Sequence, residues 1–205
     1  MTVSSTQQIV IVRHAETEWS LNGRHTGSTD LPLTDTGRLK GERLGPALAA
    51  FHFDRIWTSP LRRAADTCRL AGFGDVAQTR RDLVEWDYGE YEGITTPDIV
   101  AGRPGWDLFL HGAPAGESPD DVAGRIDPVV DELVRSGDNV AIFSHGHISR
   151  ALAVRWVGLP VAAGRLLALG TGTISVLSWH RDVRVIARWN DDSHLRVVSG
   201  QPVRP

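Results

Sequence analysis

The sequence predicts an α/β protein, a three-layer α/β/α sandwich around a largely parallel central sheet. Two short apolar runs, QIVIV at Gln8–Val12 and NVAIFS at Asn139–Ser144, are too brief for free-standing helices and match buried strands. Between such runs lie stretches with apolar residues at helical spacing, each opened by Thr, Ser or Pro, so strand and helix alternate along the chain. A length of 205 residues supports one sizeable core, and residues 1–205 are read as a single domain.

Taken in order, Gln8–Val12 is the first strand, and Arg13 and His14 stand at its exit. Asn22–Leu33 is a loop rich in Gly, Thr and Asp; Thr34 then caps a helix running toward Phe51, with Leu39, Leu44, Leu48 and Phe51 as its apolar face. Asp54–Thr58 is the second strand, and Ser59-Pro60 supplies the cap and first position of a helix through Leu70. Residues 84–116 are irregular and read as a lid-like segment. Gly116–Pro119 opens a long amphipathic helix to about Ser136, with Val122, Ile126, Val129, Val130 and Leu133 inward, followed by a turn at Gly137-Asp138. Asn139–Ser144 is the next strand, Ser149–Val157 a helix, and Thr173–Trp179 with Val183–Arg188 a hairpin around Arg181-Asp182. The tail, about 190–205, reads as loose.

Composition narrows the setting. With 22 basic and 25 acidic residues the formal net charge is −3, so no polycationic surface argues for nucleic acid or anionic lipid. Cys68 is the only cysteine, which precludes an intrachain disulfide and suits a reducing compartment. MTVSSTQQ lacks a basic n-region, and the four-residue apolar run after it is too short for a signal peptide or membrane span. The expectation is a cytoplasmic protein whose partner is a small molecule. Seven tryptophans supply aromatic surface for an interface as well as a core, so a homodimer stands among the expectations.

In open α/β sheets ligands bind beyond the carboxyl ends of the strands. Three strand exits carry polar residues: Arg13-His14, Ser59 to Arg63, and His145-Gly146-His147. An arginine fork grips phosphate oxygens bidentately, and a neutral imidazole beside it can attack phosphorus. Cleaving a phosphate monoester also requires a proton for the leaving oxygen; Glu85, between Leu83-Val84 and Trp86, is the candidate acid. Gly146 permits close backbone approach, which suits an anion at the helix start. His145 and His147 form an HxH pair without a carboxylate cluster or cysteine ligands, so no metal site is expected.

VRHAETEW, GRHTGSTDLPLTDTG, SPLRRAADT, EWDYGEYEG and FSHGH, in that order between Val12 and Ile148, resemble the motif series of the histidine phosphatase superfamily, which includes cofactor-dependent phosphoglycerate mutase. The resemblance implies a phosphoglycerate mutase-like fold. It implies His14 as a nucleophile forming a phosphohistidine, with Arg13, Arg63 and His145 clamping the phosphoryl oxygens and Glu85 acting as general acid, then base. The family pattern SxLxRAxxT selects Arg63 over Arg62. Arg13, Arg63 and a protonated His145 would supply the positive charge, so neither metal nor cofactor is expected.

Around this centre, Ser20, Arg24, Thr26, Gly27, Tyr88, Gly146 and His147 are candidate substrate contacts, and Trp19 and His111 candidate shapers of specificity. Ala15 and Ser20 depart from the usual Gly and Asn, and Ser20 has the shorter reach. TEWS, HTGSTDLPLT, EWDYGEYEG and GTGTISVLSWH resemble two phosphatase branches, a mycobacterial acid phosphatase and a fungal sedoheptulose-bisphosphatase. Hydrolysis of small phosphate monoesters, sugar phosphates foremost, is therefore expected. A mutase is the nearest alternative: Thr26-Gly27 resembles the pair mutases use, although Tyr88–Gly112 contains only Arg103 and no lysine. A catalytically weak phosphate-ligand-binding protein is the alternative of another class.

Overall fold

The computed structural model describes residues 7–198. Its centre is a six-stranded sheet of order β3-β2-β4-β1-β5-β6, formed by β1 (Gln8–Arg13), β2 (Arg55–Thr58), β3 (Gln78–Thr79), β4 (Val140–Ser144), β5 (Ile174–His180) and β6 (Val183–Asp191). The first four strands run parallel, and β5 and β6 add an antiparallel hairpin along β1. β1 and β4 are buried on both faces, which is why they read as unbroken apolar runs.

Side chains alternate across the pleat, so one strand feeds two cores. Ile9 and Ile11 of β1 join Val140 and Ile142 in a core completed by α6 (Pro119–Ser136) and α7 (Gly146–Trp156). Val10, Val12, Ala141 and Phe143 face the other way, onto α2 (Asp35–Leu48) and α3 (Arg62–Leu70). The three-layer sandwich is thus built from one alternation. Cys68 packs in the second core, where burial pushes its thiol up to about 12.

Several boundaries differ from the sequence-based expectation. Thr34 caps α2 through Gly37 N, but Leu39 is 52% exposed: the buried stripe is Gly37, Gly41, Leu44 and Leu48, and Leu39 lies off it. α3 starts at Arg62 with Leu61 at its cap, because Ser59 extends β2 by donating its N–H to Phe143 O, while its Oγ accepts Leu61 N–H at 3.3 Å and faces His145 Nε2 at 2.7 Å. α6 starts as expected, with a capping box between Ser118 and Asp121 and Gly137 at φ +70 ending it. α7 begins at Gly146 instead of Ser149, since its first N–H groups find an acceptor in Glu85, 62 residues away in sequence. The hairpin turns on Arg181 at φ +57.

The tail is ordered further than expected. β6 runs to Asp191, and Ser193–Val198 forms a 3-10 helix tied back by His194 Nε2–H donating to Gly172 O at 2.9 Å; residues 199–205 lie outside the described residues. Residues 84–116 are irregular yet packed, with Trp86, Tyr88, Trp106 and Phe109 all buried. Two short helices, Thr96–Gly102 and Leu108–His111, are α4 and α5, and Glu18–Asn22 is α1. Gly89, at φ +48, is required there: a Cβ would stand 2.1 Å from Pro114 O. Among the described residues no helix is long and apolar enough to cross a membrane.

Candidate active site

β1 delivers Arg13 and His14 to the carboxyl end of the sheet. His14 N–H donates to Ser144 O at 2.8 Å, so the histidine continues the parallel ladder with β4. Its Nδ1 lies 2.7 Å from Ala15 O. A carbonyl only accepts, so Nδ1 carries the proton and Nε2 keeps its lone pair. Ala15 is held in turn by Thr67, whose Oγ1 accepts Ala15 N–H at 2.9 Å and donates to Arg63 O at 2.7 Å. Burial, then Arg13 and Arg63, hold the His14 pKa well below its ordinary value, which keeps the ring neutral.

The expected protonation of His145 is corrected. Arg63 Nε–H donates to His145 Nδ1 at 3.1 Å, which makes that nitrogen an acceptor and leaves the single ring proton on Nε2, facing Ser59 Oγ at 2.7 Å. Burial and the charge of Arg63 push its pKa well below the ordinary value. The His14 and His145 rings lie 5.3 Å apart, tilted by 57°.

The two arginines differ. Arg63 is fully buried, and its other bonds run from Nη1 to Thr29 O (2.9 Å) and from Nη2 to Thr26 O (2.9 Å) and Gly27 O (3.0 Å). Of five guanidinium N–H groups, one remains. Arg13 donates from Nη1 to Leu169 O, while its Nε is buried without a hydrogen-bond partner among the described residues. Gly146 makes room for it: a Cβ there would stand 3.2 Å from Arg13 Nε and Cζ.

The acceptor at the start of α7 is the chain's own Glu85 side chain. Glu85 accepts from Trp86 N (3.0 Å), His147 N (3.1 Å) and Ile148 N (2.9 Å). Beside it Tyr88 Oη and His147 Nδ1 share a hydrogen bond at 2.6 Å. Burial and Glu85 push the phenol well above its ordinary pKa, and burial with Arg150 pushes His147 well below, so this pair is neutral.

These residues enclose a cleft of about 180 Å³ whose lining includes Arg13, His14, Glu85, Tyr88 and His147. Ser20, Arg24 and Thr26 also line it, as does Trp19, whose ring lies under the Arg24 guanidinium at 6.0 Å. Ser20 Oγ is already committed: it accepts Thr17 N–H at 2.9 Å and donates to Thr17 O at 2.8 Å. Gly27 sits behind the lining, its N–H held by Glu92 Oε2 at 2.9 Å. Arg63, His145 and Gly146 do not line the cleft, and His111 only caps α5, accepting Asp107 N–H at 3.0 Å.

Sequence reasoning missed His25, Glu92 and Thr96, and placed Ser59 at a strand exit without giving it a partner. His25 lines the cleft, its ring 4.6 Å from that of Tyr88 and its Nε2 3.2 Å from Thr96 Oγ1. It stands inside RHTG, so its motif carried the signal; Thr96 carried none, because only the bridge between Arg24 and Thr95 brings it near.

The model of the histidine phosphatase superfamily (branch 1) matches residues 9–192. The chain belongs to this superfamily. An acid phosphatase from Mycobacterium tuberculosis is 44% identical over 184 residues, covering 88% of this chain and 90% of that protein. A sedoheptulose 1,7-bisphosphatase from Saccharomyces cerevisiae is 31% identical over 193 residues, covering 77% of this chain and 70% of that protein. The solved structure of an open reading frame product from Mycobacterium tuberculosis superposes with a TM-score of 0.87 at 42% identity, over 90% of this chain and 97% of that one. In this histidine phosphatase the motif residues gather at one sheet edge, with His14, Arg13 and Glu85 on a shared cleft.

Proposed function

We propose that the protein is a metal-independent phosphatase that hydrolyses small phosphate monoesters, sugar phosphates foremost, through a phosphohistidine on His14. The observation that carries this is the His14 imidazole: Nδ1–H is fixed on Ala15 O, and the unprotonated Nε2 belongs to a ring lining a cleft shared with Arg13 and Glu85. In the first step the Nε2 lone pair attacks phosphorus, the ester P–O bond breaks, and Glu85 gives a proton to the leaving oxygen. In the second, Glu85 takes a proton from water, the new oxygen bonds phosphorus, and His14 leaves with its lone pair.

Arg13, with Nε unpartnered, and the remaining N–H of Arg63 supply fixed positive charge for the transferring phosphoryl group. His145 accepts Arg63 Nε–H and its Nε2–H faces Ser59 Oγ, so it serves the phosphoryl site by holding Arg63. The cleft volume suits a small ester, and both named relatives are phosphatases. A cytoplasmic setting fits a chain whose only cysteine is buried and unpaired.

The test is phosphate release from sugar phosphates, phosphoglycerates and an aryl phosphate in excess chelator, for the wild type and His14→Ala. Release that vanishes in His14→Ala is the expected result. Release that survives the substitution, or that requires added divalent ion, refutes the proposal. Phosphoryl transfer to a second acid instead of water would establish a mutase.

A further inference from the structure

The hydrogen bonds behind His14 lead to the C-terminal part of the chain. Gly172 N–H is shared between Arg13 O and His14 O, 3.1 Å from each, and Arg13 N–H donates to Thr173 O at 3.3 Å. The Arg13 guanidinium leans on the same stretch, since its Nη1 donates to Leu169 O. Residues 168–173, which lead into β5, therefore hold the backbone of both residues at the exit of β1 and the head of the arginine as well.

These residues belong to no helix or strand, so their shape depends on what grips them from outside. Three side chains do so, from β6 and from the 3-10 helix Ser193–Val198. Trp189 Nε1–H donates to Ala168 O, Asn190 Oδ1 accepts Gly170 N–H at 2.7 Å, and His194 Nε2–H donates to Gly172 O at 2.9 Å. The last two contacts flank, along the chain, the Gly172 N–H that meets Arg13 and His14. Asn190 stands at φ +57 and gives its own N–H to Ser175 Oγ at 3.0 Å; asparagine tolerates that left-handed conformation and also supplies the acceptor. Gly172 is buried, where a peptide group that loses its partner is not readily repaid by water. Asn190 and His194 themselves stay outside the lining of the cleft.

Resting on the phosphatase reading, we propose that Asn190 and His194 are positioning residues for phosphoryl transfer: by fixing residues 168–173 they fix the backbone of Arg13 and His14. Loosening the segment frees both, and the imidazole and the guanidinium then no longer keep one mutual geometry. In-line attack on phosphorus is more sensitive to that loss than is capture of the substrate.

The test is steady-state phosphate release from an aryl phosphate by the wild type, His194→Ala and His194→Gln, at a temperature where circular dichroism shows all three folded. His194→Ala is expected to lower kcat by about tenfold while KM stays within about threefold of the wild type. His194→Gln, whose amide NH₂ replaces the imidazole N–H as donor to Gly172 O, is expected to recover most of that loss. An unchanged kcat in His194→Ala, a loss confined to KM, or a glutamine variant as slow as the alanine one overturns the proposal. Asn190→Gly, which suits the positive φ and removes the acceptor of Gly170 N–H, gives the same reading of kcat against KM if His194→Ala does not fold. No release by the wild type would refute the phosphatase reading alone, and nitrogen NMR of the His14 ring, assigned against His14→Ala, then decides the positioning. A single Nδ1–H tautomer in the wild type that becomes a mixture in His194→Ala upholds it; an unchanged ring overturns it.

Discussion

Thr67→Val tests whether the polypeptide behind His14 positions its imidazole, the proposed nucleophile. Thr67 is fully buried, and its hydroxyl is the acceptor for Ala15 N–H at 2.9 Å. Valine preserves the shape and removes the hydroxyl, leaving a buried N–H unpaired at a cost of about 1–3 kcal/mol. For a domain of this size that lowers Tm by roughly 2–12 °C. Ala15 also holds His14, through its carbonyl and Nδ1–H, so releasing the peptide lets the imidazole pivot. A misplacement on the order of 1 Å costs about 10²-fold, so kcat on an aryl phosphate should fall by about 10- to 100-fold. Thr67→Ser restores the hydroxyl and should recover most of both quantities. Thermal denaturation with steady-state phosphate release reads the two effects. A lowered Tm with unchanged kcat would show that Thr67 serves packing alone, and the positioning argument would be wrong.

Other substitutions and conditions probe neighbouring parts of the site. Glu85→Gln removes the proposed proton donor and places an amide NH₂ against backbone N–H groups that now donate to both oxygens, so kcat should fall by about 10²- to 10⁴-fold, least for aryl leaving groups; equal loss on all esters would deny the acid role. Gly27→Ala would bring a Cβ to 2.7 Å from Glu92 Oε2 and 2.8 Å from Trp86 O, and urea unfolding should show a loss of about 1–3 kcal/mol. The folded pKa values of His14, His145 and His147 lie below the ordinary 6.5, so below that pH the unfolded chain binds more protons than the folded one. Stability should therefore hold above about pH 6.5 and decline below it, by up to about 1.4 kcal/mol per pH unit for each histidine; a flat urea midpoint down to about pH 5 would contradict the buried neutral state.

The parts of the fold that local pattern determines were legible. β1 and β4 are buried on both faces, so their sequences are continuously apolar, and α6 carries its own cap in Ser118 and Pro119. Where a side chain answers to a distant partner, local pattern misleads. Ser59 looks like a helix cap but faces His145, and α7 gains three residues because Glu85 caps it from across the chain. The charge state of His145 was hidden for the same reason: it depends on which nitrogen Arg63 addresses. The motif residues His14, Arg13 and Glu85 do share the cleft, whereas Arg63 and His145 do not line it.

The central claim concerns the nitrogen of one residue, and trapping the intermediate addresses it most directly. The enzyme would be mixed with an aryl phosphate, quenched within the first turnovers in alkali to preserve phosphohistidine, and mapped by mass spectrometry. The account predicts one phosphoryl group on the peptide containing His14, labile in acid, absent from His14→Ala and chased by further incubation. Turnover at an undiminished rate in His14→Ala, or phosphoryl transfer to a different residue, would contradict it.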